Sequence, residues 1–379
     1  MNFVFISTNS GGPWGGSEEL WSQAASRLHS EGHQVAAFVT WWPQLSPKVV
    51  ALADQGIEVY AGKLRAQSSL GRRAWRKIQQ RIGQMPPEQA WVRRQKPDLV
   101  VISQGGNDDG VAWMEFCNHS EIPFVSVVQA NNEQWWPADC LLDKMSAGYR
   151  GARKVFCVSW HNLELLKRQL GEPLPNAGVV WNPFNVPVDQ PPVWPKEDGV
   201  WKLACVARLD PAAKGQDLLL QILAQPKWRE RPLEINLYGV GQSENGLKKL
   251  AGCLRLKNIH FRGHVSVVRQ IWEENHLLVL PSRYEGLPLA LVESMWCSRP
   301  ALVTEIGGNA EMCVNGETGF VAAAPAMKAL EETLERAWNS RTVWQHMGLA
   351  ARIRAQQLIP KDPVGVFCRQ LTDCVINKV

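Results

Sequence analysis

The sequence predicts an α/β protein made of two doubly wound parallel sheets that face each other across a deep cleft. Three observations lead there. Short apolar runs alternate with helical stretches along the whole chain, the pattern of strands covered on both faces by crossover helices. The 379 residues exceed what one hydrophobic core usually holds. Near Gly178 the pattern changes, and Pro187 to Pro195 is proline-rich enough to be a linker.

The first half reads as strands at Phe3 to Ser7, Gln34 to Val39, Ile57 to Tyr60, Leu99 to Ile102, Phe124 to Val128 and Val155 to Val158, with a helix over Ser17 to Ser30. After the first strand comes SGGPWGGSEE. Its glycines allow a tight turn and close backbone approach to a ligand, and Ser17 is placed to cap the helix, with Glu18 and Glu19 in its first turn. A dinucleotide fingerprint is disfavoured, because the glycine spacing is wrong and the second strand ends in Thr40-Trp41-Trp42 without an acidic residue.

The second half gives strands at Leu203 to Val206, Ile235 to Tyr238, Ile259 to Phe261, Leu277 to Leu280, Ala301 to Thr304 and Gly319 to Val321. The predicted domains are 1–182, 183–359 and a terminal helical segment, 360–379, whose apolar residues Val364, Phe367, Leu371 and Val375 keep a helical period. Hydrophobic residues at 45% and charged residues at 20% fit an ordered globular chain, and no apolar run reaches the roughly 20 residues that span a bilayer. The opening MNFVFIS reads as a strand and not as a signal peptide. Nine cysteines without CxxC spacing imply reduced thiols, a cytoplasmic location and no metal site.

The stretch with most chemistry in it is PSRYEGLPLALVESMWCSRPALVTEIGGNAE, from Pro281 to Glu311. A buried strand ends at Pro281, Gly286 is free to leave the regular backbone regions, and Pro288 suits a first helical turn. Such a strand-to-helix junction aims backbone amides and the positive end of the helix dipole at the loop, which suits a phosphate. Glu285 and Glu293 flank it. Two carboxylates at that spacing can accept hydrogen bonds from hydroxyls at opposite ends of one elongated ligand, and surrounding Leu, Pro, Ala, Val and Met argue against a solvated charged face. Upstream, VARLDPAAKGQDLLL places Arg208 beyond a strand and Lys214 at the mouth of a helix, where two cations can neutralise a diphosphate. The plain alternative is a pair of surface cations.

This E-x7-E string, preceded by PSRYEG and followed by GGNAE, resembles the donor site of family 4 nucleotide-sugar glycosyltransferases, which have the retaining, two-domain GT-B architecture with Rossmann-like halves. The resemblance is most specific from Arg208 to Glu311 and looser from Gly11 to Glu18. It implies transfer of a sugar from a nucleoside diphosphate such as UDP or GDP to an acceptor hydroxyl, with no metal and no cofactor besides the donor. It also implies that Arg208 and Lys214 hold the diphosphate, that Glu285 binds hydroxyls of the donor sugar, and that Glu293 binds the ribose. Amides of Leu287 and Leu289 beside Gly286, together with Gly15 and Gly16, complete the phosphate cradle. In YGVGQSE, Gly239 and Gly241 let the backbone approach the nucleotide base. In this fold class the terminal helix returns to the first domain.

One departure stands out. Many members carry a histidine where this chain has Gln129, followed by Ala130 and Asn131; glutamine hydrogen-bonds a sugar hydroxyl and cannot titrate near neutral pH. A GT-B sugar-nucleotide epimerase or phosphorylase, or a sugar-nucleotide-binding protein without turnover, therefore stays open. Tryptophans are the candidates for the acceptor side, with ordinary core or interdomain packing as the alternative. Trp14, Trp41, Trp42, Trp135 and Trp136 follow strand ends, where indole rings can stack on a sugar or a flat aglycone, so Trp14, Trp41, Trp42, Gln129, Asn131 and Trp135 are the expected acceptor residues. The expected partners are a nucleotide sugar and a sugar, lipid-linked or small-molecule acceptor, with no nucleic acid. From Lys63 to Lys96, ten basic residues face Glu88 alone, a net +9 in a chain of total +5. With Leu70, Trp75, Ile78, Ile82 and Trp91 interspersed, this region reads as a patch for an anionic membrane surface at the inner face of the membrane, or else as a solvated basic helix or a site for an acidic acceptor.

Overall fold

The structure is a computed structural model and describes residues 1–62, 85–196 and 198–376. The chain divides into two compact units, Met1–Pro183 with Asp362–Val379, and Phe184–Lys361. In the first, the described elements are β1 (Asn2–Ser7), α1 (Ser17–Ser30), β2 (Gln34–Thr40), α2 (Pro47–Asp54), β3 (Glu58–Gly62), α3 (Pro87–Arg94), β4 (Leu99–Gln104), α4 (Val111–His119), β5 (Phe124–Val128), α5 (Asp139–Gly151), β6 (Lys154–Cys157), α6 (Trp160–Leu170) and β7 (Ala177–Val179). All strand pairs are parallel, in the order β3-β2-β1-β4-β5-β6-β7.

Burial on both faces explains the near-continuous apolar runs: Phe3, Val4, Phe5 and Ile6 of β1 and Leu99 to Ile102 of β4 are all buried. Local chemistry sets the helix limits. Ser46 Oγ accepts the Lys48 amide at 3.3 Å with Pro47 in the first turn of α2, and Ser159 Oγ accepts the Asn162 amide at 3.2 Å at the start of α6. Gly171 then ends α6 in the left-handed region at φ 66°. Ser17 does not cap α1. It is the first helical residue, Gly16 occupies the cap position with a helical φ of −59°, and among the described residues no side chain caps the start.

The second unit comprises β8 (Trp201–Val206), α7 (Pro211–Lys214), α8 (Gln216–Leu223), α9 (Pro226–Arg229), β9 (Leu233–Tyr238), α10 (Glu244–Cys253), β10 (Ile259–Gly263), α11 (Val268–Glu274), β11 (Leu277–Leu280), α12 (Leu289–Trp296), β12 (Ala301–Thr304), α13 (Asn309–Met312), β13 (Gly319–Ala322), α14 (Met327–Asn339) and α15 (Trp344–Leu358). Its parallel strands run in the order β10-β9-β8-β11-β12-β13. The core gathers Leu203, Leu237, Val279, Leu302 and Phe320 from the sheet with Leu219, Trp228 and Trp344 from the helices. The segment after Phe184 is pinned to this unit by Arg299, whose guanidinium donates to the carbonyls of Pro192 at 3.2 Å and Val193 at 2.6 Å.

The last helix, α16 (Pro363–Ile376), lies in the first unit. Phe367 meets Phe156 edge to face at 5.5 Å, Cys368 Sγ reaches the Ala24 carbonyl of α1, and Arg153 donates to the Cys374 carbonyl. Of the basic region, residues 63–84 lie outside the described residues. In the described part Arg93, Arg94 and Lys96 are exposed, but Trp91 is 4% exposed and donates its indole N–H to Glu58 at 2.6 Å. Trp91 is therefore a core residue and no part of a surface patch. Among the described residues no helix is long and apolar enough to cross a membrane.

Candidate active site

In the second sheet β8 and β11 are neighbours, and the strands that follow them lie toward opposite edges, so their loops part at the carboxyl ends. Arg208 follows β8, Lys214 ends α7, Glu285 sits in the loop after β11, and Glu293 sits in α12. Lys214 and Glu285 meet: Lys214 Nζ donates to Glu285 Oε1 at 2.7 Å, and Ser282 Oγ donates to the same oxygen at 2.8 Å. The Glu285 side chain is 6% exposed and that of Lys214 is 20%, so the pair is shielded from bulk water. Sequence reading names Lys214 and Glu285, and the structure brings them together across 71 positions of chain.

Tight backbone crossings hold the loop. Gly307, at φ 53°, passes so near that a Cβ would stand 2.4 Å from the Glu285 carbonyl oxygen, and the Gly308 amide donates to the Gly286 carbonyl at 2.7 Å. Gly286 itself has no positive φ; it is Gly307 that uses the left-handed region. Thr304 Oγ1 fixes the Ser282 carbonyl at 2.6 Å. Leu287 is buried, Leu289 opens α12 behind Pro288, and among the described residues no side chain caps that helix start. Arg208 stands farther out, its side chain 46% exposed and bonded to Asp210 at 3.0 Å. Glu293 is 4% exposed, and its Oε1 accepts the backbone amide of Asn185 at 3.0 Å.

Gly239 and Gly241 lie close against a neighbouring stretch of backbone. A Cβ on either would lie 2.2 or 2.3 Å from the carbonyl oxygens of Ala207 or Leu209. Their lack of a side chain lets the β9 loop pack on the Arg208 turn, so the close approach is between two protein backbones.

In the first sheet the corresponding break lies between β1 and β4. Gly15 and Gly16 precede α1 without positive φ, so they leave space at the helix start and supply no left-handed turn. Trp14 donates its indole N–H to Glu19 at 2.8 Å, and Lys48 pairs with Glu19 while lying 5.4 Å from the Trp14 ring centre. Glu18 is buried against Ser7 at 2.7 Å and Trp21 at 3.0 Å, and burial lifts its pKa. A carboxylate that sequence reading missed, Asp109, accepts from Thr8 Oγ1 at 2.8 Å and from the amides of Gly105 at 3.1 Å and Gly106 at 3.0 Å. The residue as a whole is exposed, and loss of water around its hydrogen-bonded carboxyl raises its pKa to about 6. A Thr at a strand end opposite a Gly-Gly turn with Asp three residues on was the available signal.

Gln129 is 6% exposed, and its Oε1 accepts from Asn182 Nδ2 at 2.8 Å. Its Nε2 is buried with no hydrogen-bond partner among the described residues. Asn131 is 2% exposed and holds the loop: its Nδ2 donates to Gln169 at 2.8 Å and its Oδ1 accepts the Asn132 amide at 2.8 Å. Trp135 is half-buried with its ring beside Gly106, Trp42 is half-buried, and Trp41 is 41% exposed.

Comparison with known proteins agrees with this geometry. Residues 189–354 match the family of glycosyl transferases group 1. An uncharacterized glycosyltransferase of Methanocaldococcus jannaschii is 26% identical over 198 residues, 52% of this chain and 52% of that protein. The D-inositol 3-phosphate glycosyltransferase of Gordonia bronchialis is 25% identical over 167 residues, 40% of this chain and 36% of that protein. The chain thus spans about half or less of the length of these curated relatives. Among solved structures, Anabaena HepE in complex with UDP and glucose superposes with a TM-score of 0.74 at 18% identity over 100% of both chains, which shows the shared fold. Residues 189–354 thus resemble the group 1 glycosyl transferases, and the chain as a whole has the GT-B fold.

Proposed function

We propose that this protein is a glycosyltransferase that moves a sugar, with retention, from a nucleoside diphosphate to an acceptor hydroxyl in glycan, glycolipid or glycoconjugate synthesis, using no metal and no cofactor besides the donor. The observation that carries this reading is the meeting of Lys214 and Glu285 at the break in the second sheet, beside the start of α12. A departing diphosphate gains negative charge as the anomeric carbon becomes oxocarbenium-like, and fixed cations at that point lower the barrier. Lys214 and Arg208 supply them, with the amides around Leu287 and Leu289. Glu285 accepts from hydroxyls of the donor sugar and Glu293 from the ribose. HepE was solved with UDP and with UDP-glucose, which makes UDP-glucose the first donor to try.

On the first unit, Trp14, Trp41, Trp42 and Trp135 at the strand ends form the acceptor side, and a sugar is the acceptor class that indole faces fit best. The basic residues from Lys63 to Lys96 bring the protein to anionic lipid as a peripheral protein. Absence of co-migration with anionic liposomes at low salt removes that part.

The test of the main reading is a panel of nucleotide sugars with two readouts, thermal stabilisation and slow donor hydrolysis. A competent donor site shows both with one donor. Stabilisation without turnover points to a binding protein. Gln129, which cannot titrate, keeps open as second reading an epimerase or phosphorylase, which transfers no sugar to an alcohol.

A further inference from the structure

Two stretches of chain that carry the candidate donor residues are joined side by side. The first runs from Pro211 to Asp217 and contains Lys214; the second runs from Pro281 to Glu285. Gly215, at φ 65°, lies where a Cβ would stand 2.0 Å from the Pro281 carbonyl oxygen, so the two backbones touch. The Arg283 amide donates to the Ala213 carbonyl at 2.8 Å. The Arg283 guanidinium then forks onto Asp217, Nη1 to Oδ1 at 2.6 Å and Nη2 to Oδ2 at 2.9 Å, and Nη1 also reaches the Pro211 carbonyl at 2.5 Å. One side chain therefore grips both ends of the segment that bears Lys214. That same arginine stands two residues before Glu285.

We propose that Arg283 and Asp217 are positioning residues of the donor site, which act through Lys214 by fixing its ammonium against Glu285. A planar guanidinium bonded to two carboxylate oxygens and a carbonyl sets distance and direction together, which a lysine in its place does not. The pair is partly shielded, at 32% and 27% side-chain exposure, so water competes with it less than at a bare surface. Its significance for turnover rests on the glycosyltransferase reading, whereas its effect on Lys214 does not.

The experiment separates the two. Wild type, Asp217→Asn, Arg283→Lys and Asp217→Glu are treated briefly with acetic anhydride, and acetylation of Lys214 is read by peptide mass spectrometry beside the melting temperature. Affinity for UDP is read by calorimetry. Asp217→Asn and Arg283→Lys are expected to acetylate at Lys214 several-fold faster, with other lysines of the second unit unchanged, and to bind UDP about five- to tenfold more weakly, the weight of one misplaced charge-assisted contact. Asp217→Glu, which keeps the charge, is expected to restore much of both. Unchanged Lys214 reactivity in both variants overturns the proposal, as does a rise shared by all lysines of the unit, which marks general loosening. If wild type binds neither UDP nor another nucleotide, the donor-site reading fails while the reactivity result still decides the positioning role.

Discussion

The backbone amide of Asn185 donates to Glu293 Oε1 at 3.0 Å, so the second carboxylate of the E-x7-E pair also anchors the chain that enters the second unit. Glu293→Gln keeps an oxygen for that amide and loses the charge. It is expected to keep the melting temperature and to weaken UDP binding about tenfold, the worth of one charge-assisted hydrogen bond. Glu293→Ala is expected to lower both. Equal nucleotide affinity for wild type and Glu293→Gln in calorimetry removes the ribose assignment.

Lys214 and Glu285 test whether the cation acts on the leaving group. If its contact with the diphosphate strengthens as charge develops, Lys214→Ala lowers kcat more than it raises the donor KM. The substitution also strands a carboxylate that is 6% exposed, at a cost of about 3 kcal/mol. Combining Lys214→Ala with Glu285→Gln is expected to recover melting temperature without activity. A larger effect on KM than on kcat makes the lysine a ground-state binder.

Asp109 gives a pH dependence with a definite sign. Its folded pKa, about 6, lies above the ordinary value of 3.8 because water is lost around the carboxyl. The native state then binds more protons than the unfolded one between those values, so its contribution to stability is complete below about 4 and is lost as pH rises toward 6. Asp108, Glu18 and Tyr149 are the titratable neighbours that share its field. Asp109→Asn, compared with wild type by melting temperature from pH 4 to 7, is expected to gain relative stability as pH rises. Parallel curves refute the assignment.

Arg299 is 1% exposed, and its guanidinium donates to the carbonyls of Pro192, Val193, Trp272, Asn275 and Cys297. Burial lowers its pKa to about 10. Arg299→Met strands several buried carbonyls and is expected to cost about 3 kcal/mol by denaturant titration, with faster proteolysis between residues 187 and 195. A loss under about 0.5 kcal/mol makes the guanidinium dispensable.

Trp135 tests the acceptor side. Its carbonyl, which Asn107 Nδ2 reaches at 3.2 Å, belongs to the loop framework, and its ring lies beside Gly106. Trp135→Ala is expected to raise the acceptor KM with UDP affinity and melting temperature nearly unchanged. A parallel fall in stability assigns the ring to the core.

Strands were legible because parallel sheets bury both faces, and the runs around Phe3, Leu99, Phe124 and Leu277 leave few other readings. The Pro281 to Glu311 loop was legible for the same reason, since carboxylates among apolar neighbours need partners. What stayed hidden depends on contacts between distant stretches. Lys214 meets Glu285 only because Gly215 lies against Pro281 and Arg283 reaches Asp217, and no local pattern encodes that approach. Trp91 misled because a tryptophan among cations looks interfacial until Glu58 is seen to take its N–H. The contact of Asn131 with Gln169, on the far end of α6, was equally hidden.

The first unit is interrupted in sequence: residues 184–361 lie between its sheet and α16, the helix that closes over α1 through the Arg27–Asp362 pair at 2.6 Å. During synthesis the second unit, whose residues are contiguous, emerges complete while the first still lacks one wall. Phe156, Ala24 and the α1 surface stay uncovered until residues 362–376 leave the ribosome. The first unit is thereby completed only after the second has been synthesised. For the same reason a nonsense codon at position 362 removes a wall of the first unit and spares residues 184–361.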